Sequence, residues 1–114
     1  MGCVIEIGVA TLSRNQLDSM HWSKRSKYSK NWQALLYAAF KFKCPKASDK
    51  VFLKITGYRP RLLDHDNFIG GCKGVLDAMK RLGIILDDSP DFIEVQYEQR
   101  KVKNAETKTV FEFF

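Results

Sequence analysis

The sequence predicts a single α+β domain: a mixed or antiparallel sheet of about four strands with two helices, in the order β-α-β-α-β-β. Three observations carry this. Short alternating or β-rich segments occur at both ends and in the middle of the chain, and two longer segments between them repeat apolar residues at helical spacing. Finally, 114 residues are enough for one hydrophobic core and not for two, and no repeat, linker or low-complexity stretch divides residues 1–114.

In order, Cys3, Ile5, Ile7 and Val9 alternate with other residues and predict a first strand, Cys3–Val9. Thr11–Met20 is polar and irregular and reads as a loop. Tyr28, Trp32, Leu35, Leu36 and Ala39 recur at helical spacing, so a first helix is expected from about Trp22 to Phe42. Cys44–Lys50, with Pro45, Ser48 and Asp49, reads as a turn, and Val51–Tyr58 as the second strand. Arg59-Pro60-Arg61 should stay extended, because a residue before proline avoids the helical region. Phe68, Cys72, Val75, Leu76, Met79 and Leu82 mark a second helix, clean from Cys72 onward, with Gly83 as its C-terminal cap. Ile84–Leu86 is short and apolar. Phe92–Lys101 and Thr107–Phe114 then read as two strands of an antiparallel hairpin around Lys103–Glu106.

An apolar fraction of 45% and 14 aromatic residues fit a packed globule and exclude a disordered tail. The net charge of +6, from 19 Lys and Arg against 13 Asp and Glu, favours an acidic partner, most commonly nucleic acid. Binding of that kind weakens with salt, because each neutralised phosphate releases counterion. Lys24, Arg25, Lys27 and Lys30 crowd the start of the first helix, where each cation opposes the macrodipole by roughly 0.3–1 kcal/mol. Bound phosphate would reverse that penalty; a solvated surface is the plain alternative. Cys3, Cys44 and Cys72 are odd in number and show no C-x-x-C spacing, so neither a zinc site nor a disulfide framework is indicated and reduced thiols are expected. No apolar run approaches the ~18 residues of a membrane span. Met1-Gly2-Cys3 resembles an acylation signal, but Glu6 stands where Ser or Thr is needed, and no basic-then-apolar leader is read. The protein is expected in the cytoplasm.

The chemistry concentrates in Asp64-His65-Asp66-Asn67, Lys73 and Asp87-Asp88, which fall within 25 residues of an otherwise basic chain. If residues 64–66 are extended, Asp64 and Asp66 project from one face with Cα atoms ~6.5–7 Å apart, which suits two oxygens on one cation. Asp87 and Asp88 follow the second helix in a polar turn, where one can face the metal and the other bond locally. Three acids brought together without a cation repel, and a bound Mg²⁺ removes the conflict. It also activates water and stabilises charge on a phosphodiester. Lys73 would be a fixed positive group for that charge, or else an ordinary surface lysine. The pattern therefore points to a metal-dependent nuclease whose acids converge. Other motifs fail: Gly70-Gly71-Cys72-Lys73-Gly74 lacks the residues of a phosphate loop, His21 and His65 form no metal pair, and no Gly-x-Ser-x-Gly elbow exists.

These residues resemble the RusA-type Holliday-junction resolvases, a family often carried by phages and prophages. One matching block is Ser13-Arg14-Asn15, Met20-His21-Trp22, Arg25 and Trp32. The other is Asp64-His65-Asp66-Asn67, Lys73, Leu76-Asp77-Ala78-Met79, Gly83 and Asp87-Asp88, so that the likeness spans roughly residues 11 to 99. It implies a homodimer that binds four-way DNA junctions and makes paired nicks with Mg²⁺ or Mn²⁺ in recombination and repair. By the same resemblance Asp64, Asp66 and Asp88 are the metal-site acids, Asp87 a secondary member and Lys73 the catalytic lysine. Asn15 and His21 fall to DNA contact, and Lys24, Arg25, Lys27, Arg59 and Arg61 are candidates for phosphates, which position DNA without reading it. Two departures stand out. Lys73 aligns only with a three-residue insertion, Ile69–Gly71 being one placement, and Thr11-Leu12-Ser13-Arg14 replaces the family's proline-rich lead-in. Two rival functions use the same residues differently: a module that grasps branched DNA without cutting it, and a small metal-dependent phosphohydrolase acting on nucleotides.

Overall fold

The chain forms β1 (Cys3–Ile7), α1 (Arg14–Ser19), α2 (Trp22–Phe40), β2 (Val51–Arg59), α3 (His65–Arg81), β3 (Ile93–Lys101), a 3-10 turn (Asn104–Glu106) and β4 (Lys108–Phe113). This computed structural model describes residues 2–41 and 49–114. Most of the turn expected over Cys44–Lys50 lies outside them.

The α+β class and the four-stranded mixed sheet are as the sequence predicts, with strand order β1-β4-β2-β3. The C-terminal hairpin is not. β3 runs parallel to β2 from Val51↔Ile93 to Arg59↔Lys101, and β4 inserts between β1 and β2, antiparallel to both. Parallel neighbours need a long crossover, and α3 supplies it, making β2-α3-β3 a βαβ unit. Burial separates the two C-terminal strands. β4 buries Thr109, Val110 and Phe111 in succession, as a central strand does, whereas the edge strand β3 alternates buried or half-buried Ile93, Val95 and Tyr97 with exposed Glu94 and Gln96.

Thr11–Met20 also departs from expectation, since it contains a helical turn and a half, α1. Ser13 starts it with a capping box: its hydroxyl accepts from the Gln16 N–H (3.1 Å) and the Gln16 side chain accepts from the Ser13 N–H (2.9 Å).

One core unites the sheet with α2 and α3. Trp32, Leu36 and Phe40 of α2 and Phe68, Cys72, Val75 and Met79 of α3 are buried with Ile5, Leu53, Ile55 and Phe111 of the sheet. Trp32 meets Phe111 edge-on, and Phe68 meets Tyr97 in the same way. Elsewhere the strands pair Glu6 with Lys108 (2.6 Å), Lys54 with Glu98 (2.9 Å) and Glu98 with Arg100 (2.8 Å). The sheet cations are thus largely matched by acids, whereas Trp22–Phe40 carries four Lys and Arg and no Asp or Glu. The unbalanced charge lies on α2.

Glycines fix α3 at both ends and in its middle. Phe68, in its first turn, sits against Gly57 of β2, where an added Cβ would stand 2.8 Å from the ring. At the far end Gly83 has φ 75°, its N–H donates to the Lys80 carbonyl, and the Ile84 N–H donates to the Met79 carbonyl, a Schellman closure. In between, Gly70 and Gly71 interrupt a helix that would favour better formers, because the 12–14 segment lies directly on them. A Cβ at Gly71 would come 2.0 Å from the Leu12 carbonyl oxygen, and one at Gly70 would meet the Arg14 side chain at 2.6 Å. Backbone cannot yield as a side-chain tip can, so Gly71→Ala is expected to destabilise by about 1–3 kcal/mol or more despite alanine's better helix propensity. A urea midpoint equal to or above wild type would contradict this packing.

Cys72 is a free thiol, wholly buried, and burial pushes its pKa up to about 12. Cys3 is disulfide-bonded, which corrects the expectation of reduced thiols throughout. No helix among the described residues is long and apolar enough to cross a membrane.

Candidate metal and nucleic-acid site

Asp64 and Asp66 do not lie on an extended segment. Asp64 is the N-cap of α3, with φ −57° and ψ 145°, and Asp66 is in the first turn. The expected strand-like spacing is replaced by a helix start, where negative side chains are favourable. Asp64 makes no side-chain capping bond, although its carbonyl accepts from the Phe68 N–H (2.9 Å). Both carboxylates are exposed, and neither has an ion-pair or hydrogen-bond partner among the described residues.

Neighbouring residues hold this corner rigid. The Leu63 N–H donates to Gln99 Oε1 (2.9 Å), and Gln99 Nε2 returns a bond to the Leu63 carbonyl (2.8 Å), so β3 clamps the residue before Asp64. Asn67 Oδ1 accepts from the Asn15 N–H (2.9 Å), which docks the start of α1 beside Asp66. Asn15 and the Asp64–Asn67 run are thus neighbours although 52 residues separate Asn15 from Asn67. Gln99 has no sequence signal. Asn67 was visible only as part of the D-x-D-N run.

The other acids lie elsewhere. Asp87 turns back on Lys80, with Nζ 2.9 Å from its carboxylate. That ammonium, followed by the Asp88 backbone N–H, holds the Asp87 carboxyl down at about 2. Asp88 is near enough to add to the field at Lys80. Lys80 follows Asp66 by fourteen residues of unbroken helix, a rise of roughly 21 Å at about 1.5 Å per residue. Asp64 and Asp66 therefore stand at one end of α3 and the Asp87-Asp88 turn at the other. Convergence of all four within one chain does not occur, and the described residues contain no cluster of three His, Cys, Asp or Glu side chains that could hold a metal ion. The physical reason is the helix itself, which separates what the sequence sets close.

Lys73 is exposed on α3, seven residues after Asp66. The three-residue insertion falls inside the unbroken helix, where positions 70 and 73 share a face with Asp66. It moves the lysine one turn along without turning it away, to roughly 10 Å of rise from Asp66.

Of the cations nominated for phosphate, Lys24, Arg25 and Lys27 project from α2 into solvent, and Arg61 is exposed. Arg59 is already engaged: it is half-buried, its Nη1 donates to the Thr11 carbonyl (3.0 Å), and burial lowers its pKa. It ties the 8–13 segment to β2 and is not a free phosphate ligand. His21 is the N-cap of α2, its Nδ1 accepting from the Ser23 N–H (3.2 Å), a structural role the sequence reading did not assign. Between α1, α2 and α3 lies a cleft of about 320 Å³ bordered by Arg14, Arg25 and Arg81, with Asp18 and Asp77, and with Gly70 and Gly74 on the α3 side.

No protein-family model and no curated protein matches this sequence.

Proposed function

We propose that the protein is a Mg²⁺-dependent, structure-specific DNA endonuclease of the RusA type, acting on four-way junctions in recombination and repair in the cytoplasm. The observation that carries the reading is the pair Asp64 and Asp66: two solvated, unpartnered carboxylates at a clamped helix start, in a chain whose charge excess lies on α2. Mg²⁺ is commonly held by one or two carboxylates together with substrate phosphate and water, so the donor chemistry of this pair fits the ion, with Mn²⁺ as a substitute. When bound, the ion supplies an activated water and charge stabilisation at phosphorus. Asp64 and Asp66 would hold it, Lys73 would face the developing charge, and α2 with Arg61 would hold DNA by its phosphates.

The reading carries a structural requirement. Asp88 reaches the same ion only from a second chain, so the functional unit is a homodimer in which the start of one α3 meets the Asp87-Asp88 turn of its mate. Two-fold symmetry makes two such sites, matching the two opposed strands of a junction. A second reading, a module that binds branched DNA without cutting it, is favoured by the separation of the acids and by the Lys80–Asp87 pair. One assay divides the two: a labelled four-way junction and a linear duplex of equal length, with Mg²⁺ or with chelator. Paired nicks on the junction, absent in chelator and on the duplex, are the expected result. Tight junction binding with no nick at any Mg²⁺ concentration would leave the binding module.

A further inference from the structure

The two tryptophans of α2 have opposite fates. Trp32 is 2% exposed and packs on Phe111, whereas Trp22 is 69% exposed, with the His21 ring beside it (centroids 5.5 Å apart, 37° between planes). A large aromatic ring left in water, in a helix with four cations and no acids, has no role in the core. Its position gives it one. Arg25, Ser29 and Trp32 line the cleft between the helices, and residue 22 continues the same helical row one turn earlier. Trp22 therefore extends the α2 row one turn beyond Arg25, and Arg14 and Arg81 are among the cleft's other lining residues.

We infer that this cleft receives an unpaired segment of a DNA strand, one base stacking on Trp22 while the adjoining phosphates lie against Arg25, Arg14 and Arg81. At about 320 Å³ the cleft is of small-ligand size and does not admit a duplex. Asp18 and Asp77 also line it, but the arginines outnumber them, and the Arg14–Asp18 pair is loose (3.6 Å) with both side chains more than 60% exposed, so phosphate competes for Arg14 readily. Aromatic faces beside cations bind unpaired bases of any sequence, because every base offers a ring to stack. The inference rests on the endonuclease reading and adds what that reading lacks, a means of preferring branch points, where bases unpair, over linear duplex.

The test measures binding of the full chain to oligo-dT, to linear duplex and to a four-way junction at one salt concentration. Trp22→Ala is expected to weaken oligo-dT binding roughly ten- to hundred-fold and linear duplex binding less than about two-fold, with Trp22→Tyr close to wild type. Tryptophan emission should be quenched by oligo-dT in wild type and not in Trp22→Tyr. Since Trp22 is solvated, an unchanged circular dichroism melt will verify the fold of both variants. Equal losses on oligo-dT and duplex, no loss on oligo-dT, or no oligo-dT binding by wild type would each overturn the inference. Mg²⁺-dependent junction cutting by wild type reports separately on the parent reading, so stacking can fail while the nuclease stands.

Discussion

Asp66→Asn is expected to slow Mg²⁺-dependent junction cutting by roughly 10²–10³-fold or more while leaving junction affinity within a few-fold of wild type. Asparagine keeps the shape of the side chain and one oxygen but removes the charge that would hold the cation. The fold should hardly notice. Asp66 is exposed and unpartnered, so the loss is confined to its interaction with the helix start, about 0.3–1 kcal/mol. Asp87→Asn should be milder for catalysis, since Asp87 is already committed to Lys80. Measured as single-turnover nicking of a labelled junction across a Mg²⁺ titration, the two variants should separate clearly. Undiminished cutting by Asp66→Asn would remove the acid pair from the chemistry and with it the main support for a nuclease. A defect in binding as large as the defect in cutting would instead assign Asp66 to DNA contact or folding.

Most elements were legible in the sequence because local patterns determine them. Of the row read at helical spacing, Trp32 and Leu36 are in the core with Tyr28 and Ala39 packed against it, while Leu35 is exposed, and Gly83 closes α3 as a cap glycine should. The pairing of β3 was not legible. Its alternation suits a strand at an edge equally well in either direction, and the turn-like Lys103–Glu106 suggests a hairpin until the crossover over α3 claims β3 as the parallel partner of β2. The helix α1 has only a weak local signal: Ser13-Arg14-Asn15-Gln16 has the form of a capping box, but only Leu17 and Met20 follow as apolar residues. The candidate site was half legible. The run at 64–67 is one corner of the molecule, with Asn15 beside it. What sequence distance concealed is the length of α3, since residues 66 and 87 are close along the chain while an intact helix holds their surroundings apart. Gln99 could not be foreseen, because its clamp on Leu63 depends on β3 lying beside the end of β2.

That helix length makes the second prediction the sharper one. If a cutting centre needs Asp66 from one chain and Asp88 from the other, Asp66→Asn and Asp88→Asn homodimers are both inactive, for every site in each lacks one acid. A heterodimer of the two variants differs. One of its sites combines both defects, and the other draws an intact Asp66 from the Asp88→Asn chain and an intact Asp88 from the Asp66→Asn chain. Unfolding and refolding an equal mixture yields heterodimers in about half of the dimers, so about a quarter of all sites recover. Each recovered dimer has one working centre, and the junction should receive single nicks where wild type makes pairs. If instead each chain carries a complete centre, no mixture restores anything, because every chain retains its own defect. Recovery of unpaired nicks at about a quarter of the wild-type yield would therefore require acids shared between subunits. Its absence, with heterodimers isolated through a different affinity tag on each variant, would mean that the acids are not shared between subunits.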